Sequence, residues 1–382
     1  MPTRAQIAAA IAYLAPPLGW LAEQRYQQLP AIKTALQPVA TAQTRFTQPI
    51  DPLPSALFGE RAWPFVSIIV PARNEASNLH RLLPSLCRLT YPGYFEVIVV
   101  DDNSTDATAD VARQHGMQVV TPGPLPAGWL GKPHASHFGA SVARGDWLLF
   151  TDADTCHAPD SLTRTIQHAE REDLDGLSCH LAQDTIGIVD RLSLMVAYAS
   201  LFAGLAPDHT SLNGQYVLIR RDVYAQSGGF AEVRQEAMDD LAFGRILHTH
   251  GYNVPLACGA SIASVAMYAD YEEMWRGMGR VAASSLRFAG SGSVITALFV
   301  TAIMTPLLVI RMVWLGKLHR AWLPLTWAAT IIGIWPWAKR FDVHPSRLWL
   351  APFGALIVQL SAMWRLLNRI IGRGVRWKDR QV

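Results

Sequence analysis

Three acidic pairs constrain this chain more than any other feature: Asp101-Asp102, Asp152-Ala153-Asp154 and Asp239-Asp240. The first two follow apolar runs, Glu96–Val100 and Trp147–Phe150, that read as buried strands. Carboxylates at strand ends lie along the carboxyl edge of an open α/β sheet, the edge at which such sheets bind ligands. Alternate residues there project to the same side, so Asp152 and Asp154 together offer oxygens to a hard divalent cation. A cation so held can neutralise a diphosphate.

The surrounding pattern alternates strand and helix. Val66–Val70 reads as an apolar strand closed by Pro71, and Leu79, Leu82, Leu83 and Leu86 recur at helical spacing before Tyr91-Pro92-Gly93. Phe95–Val100 is the second strand; Ser104-Thr105-Asp106 caps a helix through Ala112, Gly116 ends it, and Met117–Val120 is a third strand. A loop rich in Pro and Gly, Pro122–Pro133, leads to a helix through Ala143 and the strand Trp147–Phe150. Strands separated by helices predict βαβ units: an α/β fold with a Rossmann-like, mostly parallel sheet and flanking helices. Beyond Asp154, Ser161–Glu170 reads as helix, Val189–Leu205 as an apolar segment against a membrane or an acceptor groove, Gly214–Ile219 as a strand, and Asp239–His250 as a helix with both carboxylates in its first turn.

Composition separates a second part of the chain. Of 382 residues 50% are hydrophobic and only 16% charged, and the C-terminal quarter is almost wholly apolar. Ser293–Leu315 is long enough to cross a bilayer, which takes about twenty apolar residues; Trp322–Ala338 and Leu348–Trp364 are marginal. Trp314, Trp322, Trp335, Trp337, Trp349 and Trp364 mark their ends, where rings meet headgroups. Ile7–Leu21, interrupted by Pro16-Pro17, reads as an interfacial or marginal anchor and lacks the small-residue cleavage pattern of a secretory signal. Tyr271–Phe288 is amphipathic and suits a position flat in the interface. The expected plan is an N-terminal membrane-associated segment (1–28), a connector (29–62), an α/β domain (63–260), an interfacial helix (261–290), a transmembrane region (291–367) and a basic tail (368–382).

Arg365, Arg369, Arg373, Arg376, Lys378 and Arg380, all after Trp364, place the tail in the cytoplasm by the positive-inside rule. A cytoplasmic α/β domain then requires an even number of crossings after it, so one of the three apolar segments is re-entrant or interfacial. The tail abuts a membrane segment, which argues against nucleic acid as its partner. The four cysteines form no close pair and no zinc spacing, which fits a reducing compartment.

Individual candidates follow. Pro71, Arg73 and Glu75 end the first strand and Asp101-Asp102 the second, so adjacent parallel strands would bring Glu75 and Asp102 close enough to accept hydrogen bonds from a base and ribose; each position alone favours a turn or cap, and the third acidic cluster puts the functional reading ahead. Asp152 and Asp154 suit Mg²⁺ or Mn²⁺. Asp239 and Asp240 favour the helix macrodipole, or one of them is a general base. Lys132, just before a helix, lies near donor phosphates. Arg276 and Arg280, one turn apart, face a leaving diphosphate or anchor to headgroups. His157 reads as an ordinary surface or core residue. No Ser-His-Asp order, Walker-type lysine loop or cysteine nucleophile is present. The acidic clusters together read as an enzyme of nucleotide-linked donors.

Val66–Glu75, Val99–Asp106, Thr151–Asp154, Asn213–Arg221 and Asp239-Asp240 resemble the family 2 glycosyltransferases with the GT-A fold, over roughly Trp63 to Phe288. The resemblance implies an inverting, metal-dependent transfer of a hexose from a nucleotide-diphospho-sugar. Carried over by position, it implies that Pro71, Glu75 and Asp102 contact the nucleotide, Asp152 and Asp154 hold the metal-diphosphate, and Asp240 is the base. Leu125–Lys132, Thr151–His157 and Asn213–Tyr216 look similar to membrane-bound carotenoid- and hopanoid-associated enzymes, and more distantly to ceramide glucosyltransferases, which implies a lipid hydroxyl as acceptor. The family's Gln/Arg-x-x-Arg-Trp signature is missing; Arg276–Arg280 has wider spacing and no following Trp. Transfer to a polyprenyl phosphate, and a non-catalytic membrane module that binds nucleotide sugars, are the alternatives.

Overall fold

Strand β1 (Val66–Ala72) is buried along almost its whole length, as a central strand covered on both faces must be. With β2 (Phe95–Asp101), β3 (Gln118–Val120), β4 (Trp147–Thr151), β5 (Thr155–His157), β6 (Gly176–Gln183), β7 (Tyr216–Arg220) and β8 (Leu256–Val265) it forms an eight-stranded sheet of order β3-β2-β1-β4-β7-β6-β8-β5. Pairs β1–β2, β1–β4, β2–β3 and β6–β8 are parallel, and β4–β7, β6–β7 and β5–β8 antiparallel. The computed structural model describes residues 3–32, 57–58, 61–204, 212–285, 291–371, 376–377 and 380–381.

Successive side chains of β1 feed two cores, as a period of two dictates. Val66, Ile68 and Val70 pack with Leu79, Leu82, Leu83 and Leu86 of the helix Ala76–Cys87. Ile69 lies on the opposite face with Ile98, Val100, Phe150 and Ile219. There the helix Gly131–Val142 comes close because Gly139 has no side chain: a Cβ on it would stand 2.5 Å from Ile69 Cγ2 and 2.8 Å from Val100 Cγ2.

Pro71 does not close β1, which continues to Ala72 in register with Asp101. The Ala72 carbonyl accepts from Asp102 N–H on the β2 side, so Pro71 turns its missing N–H toward β4. That pairing has already ended at Ile69–Phe150, so no ladder bond is lost.

The chain divides into two compact units, and the division is not linear. The sheet unit comprises Pro30–Asp184 and His209–Ala266; β8 carries it to Val265, past residue 260, because Ser264 and Val265 still pair with Ala182 and Gln183 of β6. Met1–Leu29, Thr185–Asp208 and Met267–Val382 form a helical unit. Most of the expected connector, and about half of the basic tail, lies outside the described residues.

In the helical unit, each of the three expected C-terminal segments is a helix: Ser291–Trp314, Trp322–Ala338 and Ala351–Ile370. Val294–Trp314 and Pro345–Asn368 are long and apolar enough to cross a membrane. Trp322–Ala338, at 17 residues, falls short of the usual span of about twenty. Among the described residues, every exposed large hydrophobic side chain belongs to this unit, including Trp20, Trp314, Trp335, Trp349 and Trp364. A surface of this kind fits a membrane.

The apolar segment at Val189 is the helix Ile188–Gly204 of the same unit. Pro16-Pro17 does not interrupt the N-terminal segment but sits in the first turn of the helix Ala15–Gln27, where a missing N–H costs nothing. Tyr26, Phe202 and Trp337 pack ring to ring at 5.1–5.6 Å, and Arg340 lies 3.8 Å from the Tyr26 ring centroid while pairing with Glu23. Gly19 meets the backbone of Gly333 directly, and Gly333 that of Ala15, so the two helices touch through small residues. We expect Gly19→Leu to separate them. Purified protein should then lose its sharp thermal transition in detergent, whereas Trp314→Leu, on the exposed face, should leave the transition intact.

Candidate active site

The register Ala72–Asp101 sets the loops after β1 and β2 side by side. Asn74 (φ 53°) and Asn103 (φ 54°) adopt left-handed conformations that Asn tolerates better than most residues. The loops are then stitched together: Asn74 N–H donates to Ser104 Oγ (3.0 Å), Thr105 N–H to Asn74 Oδ1 (2.8 Å), Glu75 N–H to Thr108 Oγ1 (2.8 Å) and Ala76 N–H to Asp106 Oδ2 (3.1 Å). Ser104 and Thr105 thus serve the neighbouring loop instead of capping their own helix, which begins at Thr108 with Asp106 Oδ1 accepting its N–H at 3.0 Å.

Pro71, Arg73, Glu75, Asp101 and Asp102 all lie at this edge, in unequal roles. Arg73 donates to the carbonyls of Asp102 (2.6 Å) and Asn103 (2.9 Å), and Asp101 Oδ1 accepts from Ser104 N–H (3.1 Å), so these two brace the backbone. Glu75 Oε2 accepts from Asn78 Nδ2 at 2.7 Å. Asp102 is buried, its N–H on Ala72 O at 2.8 Å.

At the end of β4 the backbone turns through Asp152, Ala153 and Asp154. Thr155 Oγ1 donates to Asp152 O at 2.8 Å, and Thr151 Oγ1 to Gln215 O at 3.1 Å. His157 Nε2 lies 3.0 Å from Thr151 Oγ1 and the ring is buried, so His157 is a core residue, its pKa lowered by burial to about 4. Burial, followed by the charge of Asp152, pushes the Asp154 carboxyl up to about 7, against the opposing pull of Lys132 and Arg81. Asp154 Oδ1 is shut off from solvent with no hydrogen-bond partner.

β7 runs antiparallel to β4 with Thr151 opposite Tyr216, which brings the turn Asn213–Gln215 to the same edge. Gly214 N–H donates to Asp240 Oδ2 at 2.9 Å, and Leu241 N–H to Asp240 Oδ1 at 2.9 Å. Lys132, in the first turn of the helix Gly131–Val142, pairs with Asp152 Oδ1 at 2.6 Å. Burial opposes the Lys132 charge, but Asp152, Asp239 and Asp240 outweigh it and hold the ammonium's pKa above its ordinary value. Burial likewise raises Asp239, to about 6, with Lys132 pulling down and Asp240 and Asp152 pushing up. Leu130 N–H donates to Arg234 O at 2.8 Å, tying the loop before Lys132 to the loop before Asp239. Asp152, Asp239, Asp240 and Lys132, remote in sequence, therefore share one electrostatic site. Residues 67–227 of this chain match the family model described as Glycosyl transferase family 2.

Over these residues the chain is similar to the family 2 glycosyltransferases. Among curated proteins, it is similar to the 4,4'-diaponeurosporenoate glycosyltransferase of Staphylococcus haemolyticus, 40% identical over 115 residues, covering 29% of this chain and 30% of that one. The enzyme of the same name from Staphylococcus aureus is 29% identical over 215 residues, 54% of this chain and 57% of that one. The chain thus spans about half, or less, of the length of these relatives. A mannosyltransferase of Pyrobaculum calidifontis, solved in complex with GDP-Man and Mn²⁺, shares the fold with a TM-score of 0.56 at 18% identity, over 94% of this chain and 98% of that one. The sheet unit accordingly has a GT-A fold.

Among the described residues no cluster of three or more His, Cys, Asp or Glu is placed to hold an ion. Asp152 and Asp154 nonetheless fit a divalent cation bound with its substrate: Asp154 Oδ1 is a buried, unpartnered carboxylate oxygen, and a diphosphate and water supply the remaining ligands that a hard cation takes. Arg276 lies in the helical unit and pairs with Glu272 at 3.5 Å. The Arg280 side chain lies outside the described residues. Gly214 gave a signal only through its resemblance motif. Arg81, which donates to the Asp154 carbonyl, gave none, since it reads as one more exposed arginine on an amphipathic helix.

Proposed function

We propose that this glycosyltransferase moves a hexose from a nucleotide-diphospho-sugar to a membrane lipid on the cytoplasmic face, with inversion at the anomeric carbon. The observation that carries the reading is the meeting of Lys132, Asp152, Asp240 and Gly214 at the edge where β1, β2 and β4 end. Pro71, Glu75 and Asp102 line the nucleotide side. Asp152 and Asp154 would hold Mg²⁺ or Mn²⁺, which supplies charge neutralisation for the departing diphosphate. Lys132, already drawn to Asp152, stands beside the same phosphates. Asp240, oriented by two backbone N–H groups, takes the proton of an acceptor hydroxyl as that oxygen attacks the face opposite the leaving group.

The apolar surface of the helical unit supports a lipid acceptor of the carotenoid, hopanoid or ceramide-like class. The name of the curated relatives favours a second reading: diaponeurosporenoate is a carboxylate, and an acceptor that is already ionised needs no base. A polyprenyl phosphate belongs to the same class. Membranes containing the chain, incubated with nucleotide sugars and a lipid extract, should yield a hexosylated lipid whose anomeric configuration is opposite to the donor's. A product of retained configuration would reject the mechanism.

A further inference from the structure

In the Asp152-Ala153-Asp154 turn, the carbonyls of Asp152 and Asp154 are each held by a donor from outside the turn. The Asp152 carbonyl accepts from Thr155 Oγ1 at 2.8 Å. The Asp154 carbonyl accepts from Ala266 N–H at 3.0 Å and from the guanidinium of Arg81, on the helix Ala76–Cys87. The other arm of Arg81 reaches Asp184 Oδ2 at 3.2 Å, and Asp184 Oδ2 also accepts from Ser264 Oγ at 2.8 Å. Asp184 follows β6 and Ser264 lies near the end of β8, so a chain of polar contacts runs from two strand ends through one guanidinium to the backbone of Asp154.

We infer that Arg81, buttressed by Asp184 and Ser264, is a positioning residue for the divalent cation. The inference rests on the reading that Asp152 and Asp154 bind that ion. A planar guanidinium is suited to the task because one rigid group can hold two acceptors at a fixed separation, which an ammonium does less well. With the Asp154 main chain fixed by Arg81 and Ala266, its carboxylate keeps one buried oxygen, Oδ1, without a hydrogen-bond partner. Arg81 also places a positive charge near the Asp154 carboxyl, which offsets part of the repulsion from Asp152. Residues that orient a metal ligand typically contribute about 10–100-fold to metal affinity when removed.

Mn²⁺ binding to the full chain in detergent, followed by electron paramagnetic resonance, tests this directly and needs no turnover. Arg81→Gln should weaken Mn²⁺ affinity by about tenfold or more, with Arg81→Lys between it and the wild type. Asp184→Asn, which leaves the guanidinium in place but removes its charged buttress, should weaken binding less and gives a second reading should Arg81→Gln not fold. Arg113→Gln, which breaks only an exposed pair with Asp110, should bind as the wild type does. Unchanged Mn²⁺ affinity in folded Arg81→Gln or, if that variant does not fold, in Asp184→Asn would overturn the positioning role while leaving the metal site standing. A wild type that binds no Mn²⁺ would instead remove the metal reading itself, and this inference with it.

Discussion

Asp240→Asn should lower turnover with a hydroxyl acceptor by about 10²–10⁴-fold, the usual contribution of a positioned base, while KM for the nucleotide sugar changes little. That factor corresponds to about 3–5 kcal/mol of transition-state stabilisation. The substitution is conservative in shape. The Asn oxygen can still accept from Gly214 N–H or Leu241 N–H, so the start of the helix Asp239–Thr249 is kept and only one backbone donor loses its acceptor. Loss of turnover with donor binding preserved would assign the proton transfer to Asp240. Near-normal turnover would move the acceptor to the ionised class, a carboxylate or a phosphate, for which no proton need be removed.

The sheet unit was legible in sequence because its strands are short, apolar and separated by helices with an apolar face. Val66, Ile68 and Val70 against Leu79, Leu82, Leu83 and Leu86 is the kind of packing that periodicity encodes directly. The acidic clusters were legible for the same reason: a strand end is a place on the sheet, so Asp101 and Asp152 could be located before any contact was known. Local pattern marked Gly214–Ile219 as a strand but did not carry its antiparallel pairing with β4, which returns Gly214 to the edge beside Thr151. Nor did it distinguish Asp101, which holds a turn, from Asp102, one residue on, since two adjacent carboxylates look alike until their hydrogen bonds are known. The break between units was hidden too. Thr185–Asp208 lies between two strands of the sheet unit in sequence yet belongs with helices more than a hundred residues further along.

Asp154→Asn should abolish Mn²⁺ binding and reduce turnover by at least about 10²-fold, as removal of a principal charge-stabilising element does, yet make the metal-free protein harder to unfold at pH 8. The sign follows from the raised carboxyl. In the unfolded chain Asp154 ionises near the ordinary carboxylate value of 3.8, whereas in the folded protein burial and Asp152 hold it protonated up to about 7. Between these values the unfolded state has already released its proton and the folded state has not. This group's contribution is therefore most favourable below pH 3.8, declines as pH rises toward 7, and at pH 8 is a net cost of burying a charge. An amide carries no charge to bury, so the variant's thermal midpoint in metal-free buffer should exceed the wild type's at pH 8, with the gap closing toward pH 5. Saturating Mn²⁺ should reverse the order, because only the wild type gains stability by binding. A variant that is destabilised at pH 8 without metal would mean that the Asp154 carboxylate is stabilised by its surroundings and not held ready for a cation.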